Sequence, residues 1–240
     1  MVWGSDGWAS LAGSSSQTPI NTFGLVQNFN ASSGSHYLVD GLDCDNNNAN
    51  KAWSVTLVDP YTLRFEVRQG DVWTGPDSPS VERSEIEFNQ FYNEGVFLNW
   101  EAIITVAPGS PVTGGFWALC QLHATTNVSP TFATFSIQIE PGTDKLQLVL
   151  TEPAQSGNNY AYTSPSAIPR GTPMNLKARV KMGPTGSGTA FVTWDGNTIL
   201  NFTGKVGATA SQYYWKCGSY RGTTAPTTVT DFNHIHIYTG

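Results

Sequence analysis

Charge is scarce in this chain, and so are cysteine and any long run of one character. Only 12% of the 240 residues are Asp, Glu, Lys or Arg, with 12 basic side chains against 18 acidic ones. The formal net charge of −6 and a pI near 5.1 argue against nucleic acid or an anionic membrane surface as partner, since basic runs and basic amphipathic helices are both missing. No apolar run is long enough to span a bilayer, and no stretch of ten or more residues keeps a helical period. The three cysteines, Cys44, Cys120 and Cys217, are too few for a disulfide framework and lack the C-x-x-C or Cys/His spacing of a zinc site. Cys120 and Cys217 sit in apolar strand patterns, where a cysteine packs as a small hydrophobe; a bridge between these two is left open.

Glycine (24), proline (14), tryptophan (8) and tyrosine (9) are plentiful instead. That balance suits many short strands joined by turns, with aromatic rings left over for binding. All-β sandwiches of this length are routinely one domain, so residues 1–240 are expected to form one monomeric unit with a sizeable core. Residues 1–34 read as an extended lead-in, and the Asn-rich stretch Asp45 to Asn50 reads as a surface loop. Met174 to Met182 alternates strictly, with Met174, Leu176, Ala178, Val180 and Met182 on one face and Asn175, Lys177, Arg179 and Lys181 on the other. Asp195-Gly196-Asn197 between two apolar runs signals a hairpin, and Gly183 to Gly188 reads as a turn. The expected class is all-β, a two-sheet β-sandwich of the jelly-roll kind with one concave face open to a ligand.

Three stretches carry chemistry as well as packing. In Tyr213 to Arg221, strand alternation puts Tyr214, Lys216, Gly218 and Tyr220 opposite Tyr213, Trp215, Cys217 and Ser219. In Glu82 to Asn89, Ser84, Ile86 and Phe88 oppose Arg83, Glu85 and Glu87. In Phe116 to His123, Phe116, Ala118, Cys120 and Leu122 oppose Trp117, Leu119, Gln121 and His123. If the apolar faces point inward on one sheet, then Arg83, Glu85, Trp117, Gln121, His123, Tyr214, Lys216 and Tyr220 line one groove. Gly218 would leave room for a polymer to lie across the backbone. Trp117 offers a flat face for a sugar ring, and His36 could reach the groove from a neighbouring strand. His234 and His236 read as a solvated face.

Such a set suits abstraction of the proton next to a uronate carboxylate. That reaction needs the carboxylate neutralised, a base, and an acid for the departing glycosidic oxygen. A guanidinium and an amide, Arg83 and Gln121, are fitting carboxylate partners. His123 titrates near neutrality and can be a base. Tyr220 can serve as base or acid, with Lys216 or Arg221 nearby.

The motifs Arg83-Ser84-Glu85-Ile86, Gln121-Leu122-His123 and Tyr214-Trp215-Lys216-Cys217-Gly218-Ser219-Tyr220 resemble the signature strands of jelly-roll polysaccharide lyases such as alginate lyases. Phe65 to Asp71 leading into Glu82-Arg83-Ser84-Glu85 resembles the glucuronan lyase and heparin lyase I group more closely. The resemblance implies β-elimination on an anionic uronate polysaccharide with no cofactor needed for the chemistry. It assigns Arg83 and Gln121 to the substrate carboxylate and His123 and Tyr220 to proton transfer. Glu85, Trp117, Tyr214, Lys216, Arg221 and His36 would complete the groove. It also implies a secreted enzyme and a structural Ca2+ near the C-terminal strand, with Asp231 as candidate ligand. Trp215, Cys217 and Arg221-Gly222 depart from the alginate-lyase pattern, which turns the expected substrate from alginate toward glucuronan. Two other classes stay open. A glycoside hydrolase would use Glu85 and Glu87, about 7 Å apart on one strand face. A non-catalytic carbohydrate-binding module would use the same aromatics and cations without turnover.

Overall fold

The computed structural model describes residues 23–73, 81–125, 133–151, 159–208, 211–224 and 226–240. Most of the expected lead-in therefore lies outside the described residues. In chain order the strands begin with β1 (Val26–Gln27), β2 (His36–Val39), β3 (Leu42–Asn48), β4 (Val55–Asp59), β5 (Thr62–Val67) and β6 (Val81–Phe88). They continue with β7 (Tyr92–Asn93), β8 (Phe97–Val106), β9 (Trp117–Ala124), β10 (Phe135–Ile139), β11 (Lys145–Leu150) and β12 (Asn159–Ala167). The last five are β13 (Met174–Lys181), β14 (Gly183–Trp194), β15 (Asn197–Val206), β16 (Gln212–Gly222) and β17 (Thr228–Thr239). No helix occurs among the described residues, and none is therefore long and apolar enough to cross a membrane.

The strands form two antiparallel sheets packed as a jelly-roll sandwich. The first runs β1-β2-β3-β6-β16-β9-β10-β11-β12, with β7 also on β16; the second runs β15-β14-β13-β8-β17-β5-β4. Strands distant in sequence are thus neighbours, and β6, β16 and β9 lie side by side in the middle of the first sheet. Their inward faces hold Ile86, Phe88, Trp215, Cys217, Cys120 and Leu122 in one apolar cluster with Phe65, Trp100 and Phe232 of the second sheet. The rings of Trp100 and Trp215 meet across the sheets at 6.4 Å, and each such buried aromatic contributes roughly 1.5–3 kcal/mol. Cys120 and Cys217 face each other in register in this cluster, and all three cysteines are buried thiols.

β13 follows the strict alternation expected, with its apolar residues buried and Asn175, Lys177 and Arg179 exposed. The Asp195-Gly196 turn joins β14 to β15 with both residues at positive φ, 48° and 79°, the twist a two-residue hairpin requires. The Asn-rich stretch is a strand rather than a loop. Asn46, Asn47 and Asn48 pair with β6 through the backbone and are buried, because their side-chain amides find partners on β6 and in the segment before β2. Asn46 Nδ2 donates to the Asn30 carbonyl at 2.6 Å, and Asn47 Nδ2 donates to Glu87 Oε2 at 3.0 Å. Residues 183–188, expected to turn, are instead the irregular start of β14.

Candidate active site

Register converts the three stretches into rows across the outer face of the first sheet. Lys216 of β16 pairs with Glu87 of β6 and with Gln121 of β9, and Tyr214 pairs with His123. Further along β16, Tyr220 pairs with Arg83 and with Ala118. Arg83, Glu85, Gln121, His123, Tyr214, Lys216 and Tyr220 therefore share one face of three adjacent strands, as alternation requires.

Glu85 is the hub of this face. Its carboxylate is fully buried; it accepts from Gln121 Nε2 at 2.7 Å and pairs with Arg83 Nη1 at 3.2 Å. One acid thus fixes both groups that could hold a substrate carboxylate. The Arg83 guanidinium lies 4.0 Å from the Tyr220 ring centroid and 5.3 Å from that of Trp73. Phe116 meets Tyr220 edge-on at 4.8 Å. Lys216 is bound to Glu87 at 2.7 Å, so both cations enter the groove already paired.

Burial, aided by the nearby positive charges of Lys216 and Arg83, pushes His123 down to about 3. Its imidazole is neutral at ordinary pH. Burial, followed by the charge of Glu87, raises Tyr214 well above the usual phenol range. Asp45, next to Glu87 in the row, is raised by burial and then by that glutamate, against the lowering effects of His36, Lys216 and Asn89. The β3 side of the face is thus acidic, whereas Arg83 of β6 and Lys216 of β16 supply the cations.

Several expectations fail, each for a visible reason. Trp117 lies in the core with its indole N–H donating to Ser219 Oγ at 2.9 Å. The cause is a bulge: Ile137 pairs with Cys120 but Gln138 with Ala118, so Leu119 is an extra residue and the alternation flips before it. The ring beside Tyr220 is that of Phe116. Arg221 is also in the core, 0% exposed and paired with Glu82 at 2.8 Å. His36 sits three strands from β16 on its row, about 14 Å by strand spacing, exposed and bound to Asp43 at 3.1 Å. It does not join the cluster. Gly218 has a φ of +142°, and a Cβ there would come within 2.4 Å of the Ser84 carbonyl. The glycine lets β6 approach rather than a ligand.

Trp215 and Cys217 are likewise core residues. With Arg221, three of the four departures that pointed away from alginate therefore face the interior and report nothing about the groove; only Gly222 shares the face of Tyr220. Asp231 is on the second sheet, and both its oxygens accept from Arg64, at 2.7 and 2.8 Å. Among the described residues no group of three or more His, Cys, Asp or Glu side chains could hold a metal ion. A calcium at Asp231 does not fit this arrangement. His234 and His236 are partly buried: His234 stacks on Tyr61, and His236 is bonded to Asp40. Trp73 and Phe116 were missed because neither lies on the polar side of an alternating strand.

The family model for polysaccharide lyases matches residues 21–237. The chain belongs to the polysaccharide lyase family. Solved structures of similar fold include endo-β-1,4-glucuronan lyase from the fungus Trichoderma reesei, 12% identical, with a TM-score of 0.60 and 91% of each chain covered. Alginate lyase PA1167 from Pseudomonas aeruginosa is 18% identical, with a TM-score of 0.59, over 80% of this chain and 88% of its own. Alginate lyase AlgAT5, of polysaccharide lyase family 7, is 14% identical at a TM-score of 0.58, over 79% of this chain and 84% of its own. No curated protein matches the lyase by sequence.

Proposed function

We propose that this lyase cleaves a β-1,4-linked glucuronate polymer, glucuronan first, by β-elimination in the groove over β6, β16 and β9. The observation that carries the proposal is the double hold of Glu85 on Arg83 and Gln121. It gathers a guanidinium and an amide from two strands on one carboxylate, with the guanidinium against Tyr220. Arg83 and Gln121 then take the substrate carboxylate, drawing off the negative charge that grows as the C5 proton leaves. His123 is neutral and open to accept that proton, but the burial that keeps it neutral also makes it a weak base. Tyr220 donates its hydroxyl proton to O4 as the C4–O4 bond breaks, which leaves a double bond between C4 and C5 conjugated with the carboxylate. In glucuronate the C5 hydrogen and O4 lie on the same side of the ring, so Tyr220 ionised beforehand could also serve both steps.

Glucuronan is the first polymer to test because the stretch from Phe65 to Asp71 leading into Glu82-Arg83-Ser84-Glu85 resembles the glucuronan lyase group. The hydrolase reading loses ground because Glu85 is buried and committed to Arg83 and Gln121. The test is ultraviolet absorbance of the unsaturated product from glucuronan, mannuronate-rich alginate and guluronate-rich alginate, for wild type and Tyr220→Phe. A rise on glucuronan that drops at least a hundredfold in the variant is expected. A rise confined to alginate would reassign the substrate, and no rise with new reducing ends would overturn elimination.

A further inference from the structure

Behind the Arg83–Tyr220 contact lies an ion pair that the chemistry above does not use. Tyr220 pairs with Arg83 and Arg221 with Glu82 in one unbroken register, so each groove residue has a chain neighbour that points into the core. There Arg221 Nη2 stands 2.8 Å from Glu82 Oε2, with both side chains 0% exposed. Taking two charges out of water costs several kcal/mol, and a well-packed apolar pair of similar volume is often as stable or more so. Burial lowers the pKa of Arg221 against the raising effect of Glu82. The bonding is also incomplete, since Arg221 Nε finds no acceptor among the described residues. A pair with that balance is poorly suited to stability alone.

Two features supply another role. Between Cys217 and Tyr220, β16 carries one residue more than β9 opposite it, so past that point the unbroken register of β16 is the one it keeps with β6, the strand of Glu82. A one-residue slip would turn Tyr220 into the core and Arg221 into the groove. Secondly, the pair ties down two chain reversals. Glu82 Oε1 accepts from the Gly70 N–H at 2.6 Å, and Arg221 Nη1 donates to the Pro226 carbonyl. The segment after Gly70 holds Asp71, whose carbonyl accepts from the Arg83 N–H at 3.0 Å, and Trp73, whose ring flanks the Arg83 guanidinium.

We propose that the buried Glu82–Arg221 pair is a positioning device for the lyase reaction, fixing the strand register and the Trp73-bearing turn that hold Arg83 against Tyr220. This inference rests on the groove roles proposed above. Two variants test it: Glu82→Leu/Arg221→Met, which removes both charges at similar volume, and Arg221→Lys, which keeps a charge but cannot reach Glu82 and Pro226 with a fork. Urea midpoints, kcat and KM are measured together, with tetraglucuronate affinity by calorimetry. The double variant is expected to keep a urea midpoint at or above wild type while kcat falls at least tenfold, a split that a merely structural pair would not produce. Arg221→Lys is expected to fold and to lose about threefold. Either folded variant retaining kcat and affinity within 1.5-fold of wild type overturns the proposal. If wild type forms no unsaturated product, the assigned chemistry fails separately. Affinity then decides, with tenfold weaker binding in the double variant expected and unchanged binding, or none by wild type, overturning it.

Discussion

On β13 of the second sheet, Lys177 and Arg179 stand in solvent between buried Leu176, Ala178 and Val180. On β6 and β16 of the first sheet, Arg83 and Lys216 are each only 6% exposed and are bonded to Glu85 and Glu87. The same residue types thus serve opposite ends. A solvated cation on an outer face costs little and holds little; a buried one demands a partner and keeps one geometry. Both sheets carry register shifts, but in the first sheet they fall on β9 and β16 beside the candidate site. Around Lys177 and Arg179, by contrast, β13 stays in continuous register with β8 and with β14. Fixed, desolvated charge is what a groove for a polyanion needs, since it requires no rearrangement as negative charge develops.

The sharpest way to break this contrast is to make one substitution on both sheets. Glu85→Gln removes the charge that faces the buried Arg83 guanidinium, so stability should drop by about 3 kcal/mol and kcat/KM by about a hundredfold. Glu101→Gln removes the acid paired with Lys177 on the second sheet, where the loss should be about 0.5 kcal/mol with no change in kcat/KM. Urea unfolding and lyase rates on both variants check the pair of expectations. Equal losses would mean that burial is not what separates the sheets.

The same contrast explains what could be read from sequence. Alternation is a local property, so β13, the Asp-Gly hairpin and the inward faces of β6 and β16 were legible, as was the shared face of Arg83, Glu85, Gln121, His123, Lys216 and Tyr220. A bulge is set by the partner strand, and nothing near Leu119 announces the flip that buries Trp117. Arg221 continues the inward set of Tyr213, Trp215, Cys217 and Ser219, so alternation already pointed it at the core. Arginine's usual exposure argued the other way, and Glu82, distant in sequence, settles it. Asn46 to Asn48 look like a loop by composition because the bonds that satisfy their amides come from other segments.

A smaller effect should mark His123 in acid. Its folded pKa of about 3 lies below the ordinary 6.5, so between those values the unfolded chain binds more protons than the folded one. Stability from this group is therefore complete above about pH 6.5 and is lost as pH falls toward 3, with a slope of at most about 1.4 kcal/mol per pH unit. Urea midpoints of His123→Gln should fall less steeply across that window than those of wild type. Parallel curves would show that the imidazole is not desolvated in the folded groove.

The smallest effect should come from the outer face of the second sheet. Lys177→Ala, Arg179→Ala and Lys181→Ala together remove three positive charges, a large change for a chain with 12 basic residues. These side chains point away from the core, and the sheets of a sandwich lie about 10 Å apart, so the face is farther from Arg83 than the Debye length of about 8 Å at physiological salt. Long-range attraction of the polymer should therefore be screened, and kcat/KM at that ionic strength should stay within twofold of wild type. Repeating the assay at about 0.01 M ionic strength, where the Debye length grows to about 30 Å, sharpens the comparison. A modest loss that appears only at low salt would be steering from a distance. A fivefold loss at physiological salt would mean that the polymer touches the second sheet, and the division of labour between the sheets would have to be abandoned.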